Sequence, residues 1–304
     1  GAHGWPDCGS FANSFPFAGR MVVGRVDGLP VWRTECGRVQ TSVWWRIGEV
    51  RNFTIRITML SILTYHSLDD GGSVVSISPR IFAEQMAVLA ETGFRGISLR
   101  EALVYREAHG QWPERSVVVT FDDGFANFYE SAAPVLARHN FSATVFVISG
   151  HVEGVNDWDA PPAGLGSQRM MNWQQVRELS EQGIEIGAHT RTHPDLRRLS
   201  ATELEDEIAG SCSEISDRTG QPVESFAYPF GYLNRSAEEV VRRTVRSACT
   251  TELRRANDEP LHLLPRVDMY YLQSPRQLQS LVAGKLDGYL AVRRWGRVVR
   301  QAMA

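Results

Sequence analysis

From about residue 59 onward, short apolar runs typical of buried strands alternate with apolar residues at the spacing of amphipathic helices. The run Val117–Phe121, for example, is rich in β-branched residues, which favours a buried strand. Ser78 and Pro79 suit the N-cap and first position of a helix that Gly93 ends. Further strands are predicted at Leu60–Tyr65, Ala143–Ile148, Ile184–Ile186, Ser225–Tyr228, Ser247–Thr250 and Leu263–Val267, and further helices at Ala126–His139, at Asn172–Gln182, between Ser200 and Gly220, and at Pro275–Leu286.

This alternation gives about seven strand–helix units, which predicts an α/β fold with a parallel sheet. An α/β barrel and an open doubly wound sheet both fit the pattern. In either arrangement the active groups lie at the carboxyl ends of the strands. Residues that directly follow a predicted strand are therefore the first candidates for function.

Residues 1–58 differ from the rest of the chain, because they are rich in Gly, Arg and Trp and show no sustained helical or strand period. We interpret them as a poorly ordered N-terminal extension that precedes a catalytic region at 59–304. They would lie upstream of the true start if translation begins at Met59. A small accessory module is the alternative, although short unpatterned segments rarely bury a core of their own.

The composition is that of an ordinary soluble globular protein, with 43% hydrophobic and 22% charged residues. The formal net charge of -3 gives no electrostatic reason to expect a nucleic-acid partner or an anionic membrane. No apolar stretch reaches the roughly 18 residues of a transmembrane span, and no signal-peptide pattern is visible. The four cysteines are widely spaced, so we expect no disulfide framework and read Cys212 and Cys249 as core residues.

Two adjacent carboxylates, Asp122 and Asp123, follow the predicted strand that ends at Phe121. Such a pair is unfavourable unless a positive group lies beside it. The simpler interpretation is a solvated turn, since Asp-Gly is a common turn pair and Gly124 comes next.

Two histidines, His189 and His193, come shortly after the strand predicted at Ile184–Ile186. Imidazoles four residues apart can converge on one metal ion from a compact loop. Pro194 argues against a long helix here and favours a structured loop. Chance spacing among eight histidines is the alternative.

A third segment, Phe226–Gly231, has an aromatic, proline and glycine turn after a strand and can form one wall of a groove. An ordinary structural turn is the alternative. Taken together the three segments are more specific than each alone. One carboxylate and two imidazoles form a three-ligand site with room for water, as in catalytic zinc sites, and the second Asp remains free to act as a base.

The three segments, in this order, resemble the polysaccharide deacetylase family, carbohydrate esterase family 4. Thr120–Gly124 matches the first motif of that family, Thr-Phe-Asp-Asp-Gly, without change, and His189–His193 matches the second, His-[Ser/Thr]-x-x-His. Ala227–Gly231 matches the third, Arg-x-Pro-[Tyr/Phe]-Gly, except that Ala replaces Arg. Leu63–His66 and Trp173–Gly187 also look like the family, and the resemblance covers about residues 60–270.

The resemblance implies a distorted (β/α) barrel of about seven parallel strands that removes N-acetyl groups from the amino sugars of an acetylated glycan. It makes Asp122 the catalytic base and gives one divalent metal ion three ligands, Asp123, His189 and His193. Zinc is the expected metal, with cobalt, nickel or manganese as alternatives. The substrate groove would be lined by Tyr228, Pro229, Phe230 and Gly231.

Two departures from the family pattern leave roles open. The Arg that orients the base is absent at Ala227, and Arg266 is the candidate to replace it from another strand, unless it faces solvent or pairs with Asp268. The family's general acid, a His in a Leu-x-His element, has no clean match. His66 and His262 are both candidates, and either is equally readable as a structural histidine.

Two other functions remain open on sequence grounds. The same fold and ligands serve hydrolases of O-acetyl esters or of cyclic amides, and a carbohydrate-binding protein that has lost catalysis would retain the fold. A start at Met59 would make the protein cytoplasmic, and otherwise a glycan substrate points to the cell envelope.

Overall fold

The structure, a computed structural model, describes residues 21–26, 29–34, 59–159, 162 and 164–303. The chain divides into two compact units, Gly1–Arg56 and Ile57–Ala304. Within the described residues no helix is both long enough and apolar enough to cross a membrane.

The first unit contains an antiparallel pair of strands, β1 (Met21–Val26) and β2 (Leu29–Thr34). These two strands are not among those that the sequence pattern predicted. The sequence signal for this hairpin is the Asp27-Gly28 pair between two partly apolar runs. The rest of the region interpreted as a poorly ordered extension lies outside the described residues.

The second unit is built on a parallel sheet that closes into a barrel. The strands of this unit are β3 (Ser61–Tyr65), β4 (Ser67–Leu68), β5 (Ser76–Ile77), β6 (Arg95–Ile97), β7 (Ser116–Phe121), β8 (Thr144–Val147), β9 (Glu185–Ala188), β10 (Ser225–Ala227), β11 (Ser247–Leu253) and β12 (Leu264–Asp268). Strands β4 and β5 form a separate parallel pair outside the barrel sheet. The order β3-β12-β11-β10-β9-β8-β7 closes through the pairing of β7 with β3, and β6 adds to β7. The seven-stranded barrel predicted above is confirmed.

Helices follow most of the barrel strands and cover them from outside. They are α1 (Pro79–Glu91), α2 (Leu99–His109), α3 (Ala133–Arg138), α4 (Trp173–Glu181), α5 (Ala201–Glu205), α6 (Ser211–Thr219), α7 (Arg235–Thr244), α8 (Pro275–Val282) and α9 (Asp287–Met303). The single helix predicted at Pro275–Leu286 is wrong at its end, since Gly284 adopts φ +73° and a further helix starts at Asp287. π-helical turns at Phe128–Ala132 and Asp206–Gly210 interrupt two other predicted helices.

The barrel strands place alternate residues on opposite faces, and this separates two cores. Val118 and Ile62 point into the barrel interior, where they pack in one apolar cluster with Phe146. Val119 and Tyr65 belong to the larger cluster between the sheet and the helices. The predicted burial of Cys212 and Cys249 is confirmed, and both are free thiols.

A buried carboxylate lies at the end of the barrel where the strands begin. Glu185, the first residue of β9, is only 2% exposed. It accepts hydrogen bonds from the Arg100 backbone N–H (2.8 Å), the Thr144 hydroxyl (2.7 Å) and the Ser225 hydroxyl (2.6 Å). Because Arg100 lies in the first turn of α2, the carboxylate also sits at the positive end of that helix.

We expect Glu185→Ala to lower the free energy of unfolding by about 3 kcal/mol or more, because it removes the acceptor of three hydrogen bonds, two of them buried. Urea denaturation monitored by circular dichroism measures this loss. Glu91→Ala, an exposed change at the end of α1, is the control. A loss no larger than that of the control would show that water replaces the carboxylate.

Candidate active site

The opposite end of the barrel brings the predicted carboxylate pair together with a buried arginine. Asp122 follows β7 and Arg266 lies in β12, and the guanidinium donates to both carboxylate oxygens, from Nη1 to Oδ1 at 2.6 Å and from Nη2 to Oδ2 at 2.7 Å. Arg266 also donates to the Thr250 carbonyl oxygen (3.0 Å) and to the Thr120 hydroxyl (3.3 Å). The predicted contact between Arg266 and Asp122 is confirmed, and the alternative pairing with Asp268 is wrong.

This ion pair is fully buried, since Asp122 is 3% and Arg266 2% exposed. Burial by itself raises the pKa of Asp122, but the Arg266 guanidinium and the nearby imidazoles outweigh it and hold the pKa well below the usual range. Asp122 is therefore an ionised carboxylate of fixed orientation at neutral pH. Ala227, at the position where the family usually has the arginine, is fully buried. Its carbonyl oxygen accepts a hydrogen bond from His189 Nδ1.

Asp123, His189 and His193 form a buried group with the donor set of a metal site. One ligand atom from each residue lies within 4.8 Å of the others. The His189 Nε2 and His193 Nε2 atoms lie 3.5 Å and 3.7 Å from Asp123 Oδ1. The predicted convergence of these three side chains on one point is present.

The two imidazoles differ in how the protein holds them. His189 Nδ1 lies 2.7 Å from the Ala227 carbonyl oxygen, so Nδ1 donates to that oxygen and Nε2 faces Asp123. The Nδ1 of His193 is buried and has no hydrogen-bond partner among the described residues. Burial, with His189 next in effect, lowers the pKa of His193 to about 3, so it is neutral and available as a ligand. Burial acts to lower the pKa of His189, but its hydrogen bond to Asp123 and the charges of both carboxylates outweigh this effect and raise the pKa. One carboxylate and two imidazoles are a donor set that fits a divalent metal such as zinc.

Backbone strain is concentrated at this group. Asp123, Thr190, His193 and Phe230 adopt φ values of 70°, 68°, 60° and 57°, where non-glycine residues are uncommon. The Thr190 hydroxyl holds the loop between the histidines, because it donates to the His189 carbonyl oxygen and accepts from the His193 backbone N–H. Strained residues persist only where their surroundings fix them, and they cluster at functional sites.

The third segment contributes one wall of the cleft. Phe230 lines it and packs with its ring 4.4 Å from that of His193. Gly231 adopts φ +73°, and a Cβ there would lie 2.0 Å from the Thr251 hydroxyl, so only glycine fits. Tyr228 borders the cleft, but its ring packs in the core and its hydroxyl donates to the His262 carbonyl oxygen. The buried Pro229 shapes the turn, so of the four predicted groove residues it is Phe230 that presents a side chain.

The two candidate acids lie at different ends of the barrel. His66 lines the cleft, with Nε2 at 3.7 Å from Asp122 Oδ2. His262 precedes β12, and its Nε2 lies 2.9 Å from the carbonyl oxygen of Val245, just before β11. Strands β11 and β12 both begin at this end, so His262 is a structural histidine and its prediction as an acid is wrong.

The cleft has a volume of about 420 Å³ and includes residues that the sequence did not indicate. Trp158 closes one side with its ring 5.1 Å from that of His193. Tyr232 lies beside Phe230 and under the Arg197 guanidinium, 3.8 Å from its ring centre. Lone aromatic residues in loops carry no periodic signal, so only the fold could place them.

Comparison with known proteins gives a consistent result. The sequence profile of a family described as polysaccharide deacetylase matches residues 109–246. The Bacillus subtilis protein YxkH is 27% identical over 229 residues, covering 75% of each chain. The poly-beta-1,6-N-acetyl-D-glucosamine N-deacetylase of Staphylococcus aureus is 28% identical over 181 residues, which cover 55% of this chain and 58% of that enzyme.

Solved structures show the same fold. IcaB from Ammonifex degensii superposes with a TM-score of 0.61 at 26% identity, covering 74% of this chain and 96% of that one. The Streptococcus pyogenes deacetylase PplD gives a TM-score of 0.64 at 24% identity, covering 73% and 97%. At the latter identity the similarity concerns the fold alone.

We expect Arg266→Met to lower the free energy of unfolding by about 3–5 kcal/mol, because it leaves the Asp122 charge buried without a partner. The double variant with Asp122→Asn should lose less than the two single variants added together. Chemical denaturation of the metal-free protein at neutral pH measures the cycle, with the exposed Arg80→Met as control. Additive losses would contradict a direct interaction.

Proposed function

Because the chain belongs to the polysaccharide deacetylase family, we propose that it is a metal-dependent hydrolase that removes N-acetyl groups from the amino sugars of a polysaccharide. The observation that carries the proposal is the buried group of Asp123, His189 and His193 directly beside the ion-paired Asp122. Poly-β-1,6-linked N-acetylglucosamine is the proposed substrate class, since relatives of that activity align with more than half of the chain.

The donor set makes the divalent metal part of the proposal. Burial acts to raise the pKa of Asp123, but its imidazole neighbours outweigh this effect and keep the pKa below its usual value. Asp123 therefore offers a charged oxygen beside two imidazole nitrogens, which is the ligand set of a catalytic zinc site. When bound there, the metal would supply Lewis acidity that polarises the acetyl carbonyl and lowers the pKa of water to about 7.

Asp122 would accept the proton of the attacking water. Arg266 holds both carboxylate oxygens in one plane, and each oxygen keeps a second lone pair for the water. Its low pKa makes Asp122 a weak base, which suits a water that is already acidified. The ion pair with Arg266 therefore lowers the basicity of Asp122 but fixes the orientation of its carboxylate.

His66 is the proposed proton donor to the leaving amine. Its side chain is 23% exposed, so the Nε2 atom is accessible from the cleft, and it lies next to Asp122 Oδ2. A proton held at Nε2 would reach the amine nitrogen as the carbon–nitrogen bond breaks. The backbone N–H near Phe230 would support the negative charge on the acetyl oxygen.

The activity is tested by incubating the purified chain with poly-β-1,6-N-acetylglucosamine and measuring released acetate. We expect release with zinc, loss of release with a chelator, and recovery when metal is added back. Release only from an O-acetylated glycan would favour the ester hydrolase alternative. No release from any acetylated glycan with zinc, cobalt, nickel or manganese would contradict the proposal.

We expect Asp122→Asn to reduce turnover on the order of 10²–10⁴-fold, because the amide keeps the size of the side chain but loses the base. Metal affinity, measured by titration calorimetry, should stay close to that of the wild type because Asp123 and both histidines remain. Asp258→Asn, whose side chain is 80% exposed, is the matched control. Turnover near the wild-type value would remove Asp122 from the mechanism.

A further inference from the structure

The loop between the two histidines exposes a pair of backbone donors on its outer side. The peptide N–H groups of Arg191 and Thr192 both point to one oxygen of Glu207, at 2.8 Å and 3.0 Å from Oε2. The Thr192 hydroxyl donates to the other oxygen, Oε1, at 2.7 Å. Consecutive N–H groups beside a residue of positive φ, here Thr190, form a concave site that suits an anion. In this protein a carboxylate of the same chain occupies it.

Glu207 reaches the loop because it stands in a π-helical turn. Asp206–Gly210 separates α5 from α6, and π turns inside helices are frequent at functional sites. The same turn receives the Arg191 side chain, whose Nε donates to the Asp206 carbonyl oxygen at 3.1 Å. A Cβ at Gly210 would lie 2.8 Å from that Nε, so a glycine here allows the close approach.

Two backbone hydrogen bonds join the loop to the segment after β8. The Ser149 N–H donates to the Thr190 carbonyl oxygen at 3.1 Å, and the Gly150 N–H donates to the Arg191 carbonyl oxygen at 2.9 Å. The loop between the two histidines is therefore hydrogen-bonded on one side to the segment after β8 and on the other to the π turn. On the outer side, three hydrogen bonds depend on the single carboxylate of Glu207.

We propose that Glu207 is a positioning residue for the metal centre, fixing the loop that sets the separation and direction of His189 and His193. The inference rests on the metal site of the proposed function. The strained φ values of Thr190 and His193 require such support, because they are unfavourable for isolated residues. Glu207 belongs to none of the three sequence motifs. It acts through the loop and touches neither ligand side chain.

The test is the zinc affinity of the metal-free full chain, measured by competition with a chromophoric chelator. Glu207→Gln keeps the side-chain length but presents an amide NH₂ to donors that need an acceptor. We expect the zinc dissociation constant to rise by about tenfold or more, within the range seen for groups that orient metal ligands. Turnover at saturating zinc should return to the wild-type value, since the base and the ligands are unchanged. Glu238→Gln, which breaks a surface pair with Arg242 on α7, is the matched control.

Two further measurements separate positioning from a purely structural role. Thr192→Val removes one of the three hydrogen bonds at an exposed position, and its zinc dissociation constant should rise by about two- to tenfold, equivalent to one hydrogen bond. A structural role would lower the stability of the metal-free protein and leave zinc affinity unchanged, and that result would overturn the inference. Equal zinc binding by the wild type and both variants would overturn this inference alone. Failure of the wild type to bind any divalent metal would overturn the proposed function as well.

Discussion

The bidentate pair between Arg266 and Asp122 is the interaction on which the organisation of the catalytic rim depends. It joins β12 to the end of β7 across β3, and the guanidinium also binds the Thr250 carbonyl oxygen in β11. A buried pair of this kind contributes less to net stability than its geometry suggests, since both charges lose their water. Its value lies in direction, because a planar guanidinium fixes a carboxylate in one plane. The adjacent Asp123 does not pair with Arg266 and lies instead beside His189 and His193.

Much of the fold and of this rim could be predicted from the sequence. The apolar runs located the strands of the barrel, and the rule that parallel strands end at a common edge placed Asp122, Asp123, His189 and His193 together. The family's arginine that orients the base is replaced here by Ala227. Arg266 could be predicted to take over this role only because it lies in another strand that reaches the same rim. That step succeeded because a barrel makes strands distant in sequence neighbours at one rim. The same rule separates His262 from the site, because it precedes its strand instead of following it.

The parts that could not be predicted have physical reasons. A π turn adds one residue to a helix without changing its apolar pattern, so Asp206–Gly210 reads as ordinary helix in the sequence. The aromatic wall of Trp158 and Tyr232 arises from loops, where no periodicity identifies an inward-facing residue. Helix α2 was not predicted, because few apolar residues mark its buried face. The capping box of Ser98 and Glu101 is the signal in the sequence that indicates its start.

The left-handed backbone at Asp123, Thr190, His193 and Phe230 sets a limit on how this protein can be made more robust. Each such residue holds on the order of 1–3 kcal/mol of conformational energy. Glycine would release part of that energy, yet it would delete a candidate metal ligand at Asp123 or His193, the hydroxyl that braces the loop at Thr190, or the ring that lines the cleft at Phe230. Stabilising substitutions selected for heat resistance alone would therefore tend to erode the catalytic rim. Thermostability engineering is better directed to the opposite end of the barrel and to the exposed faces of the helices, where added stability does not draw on the active site.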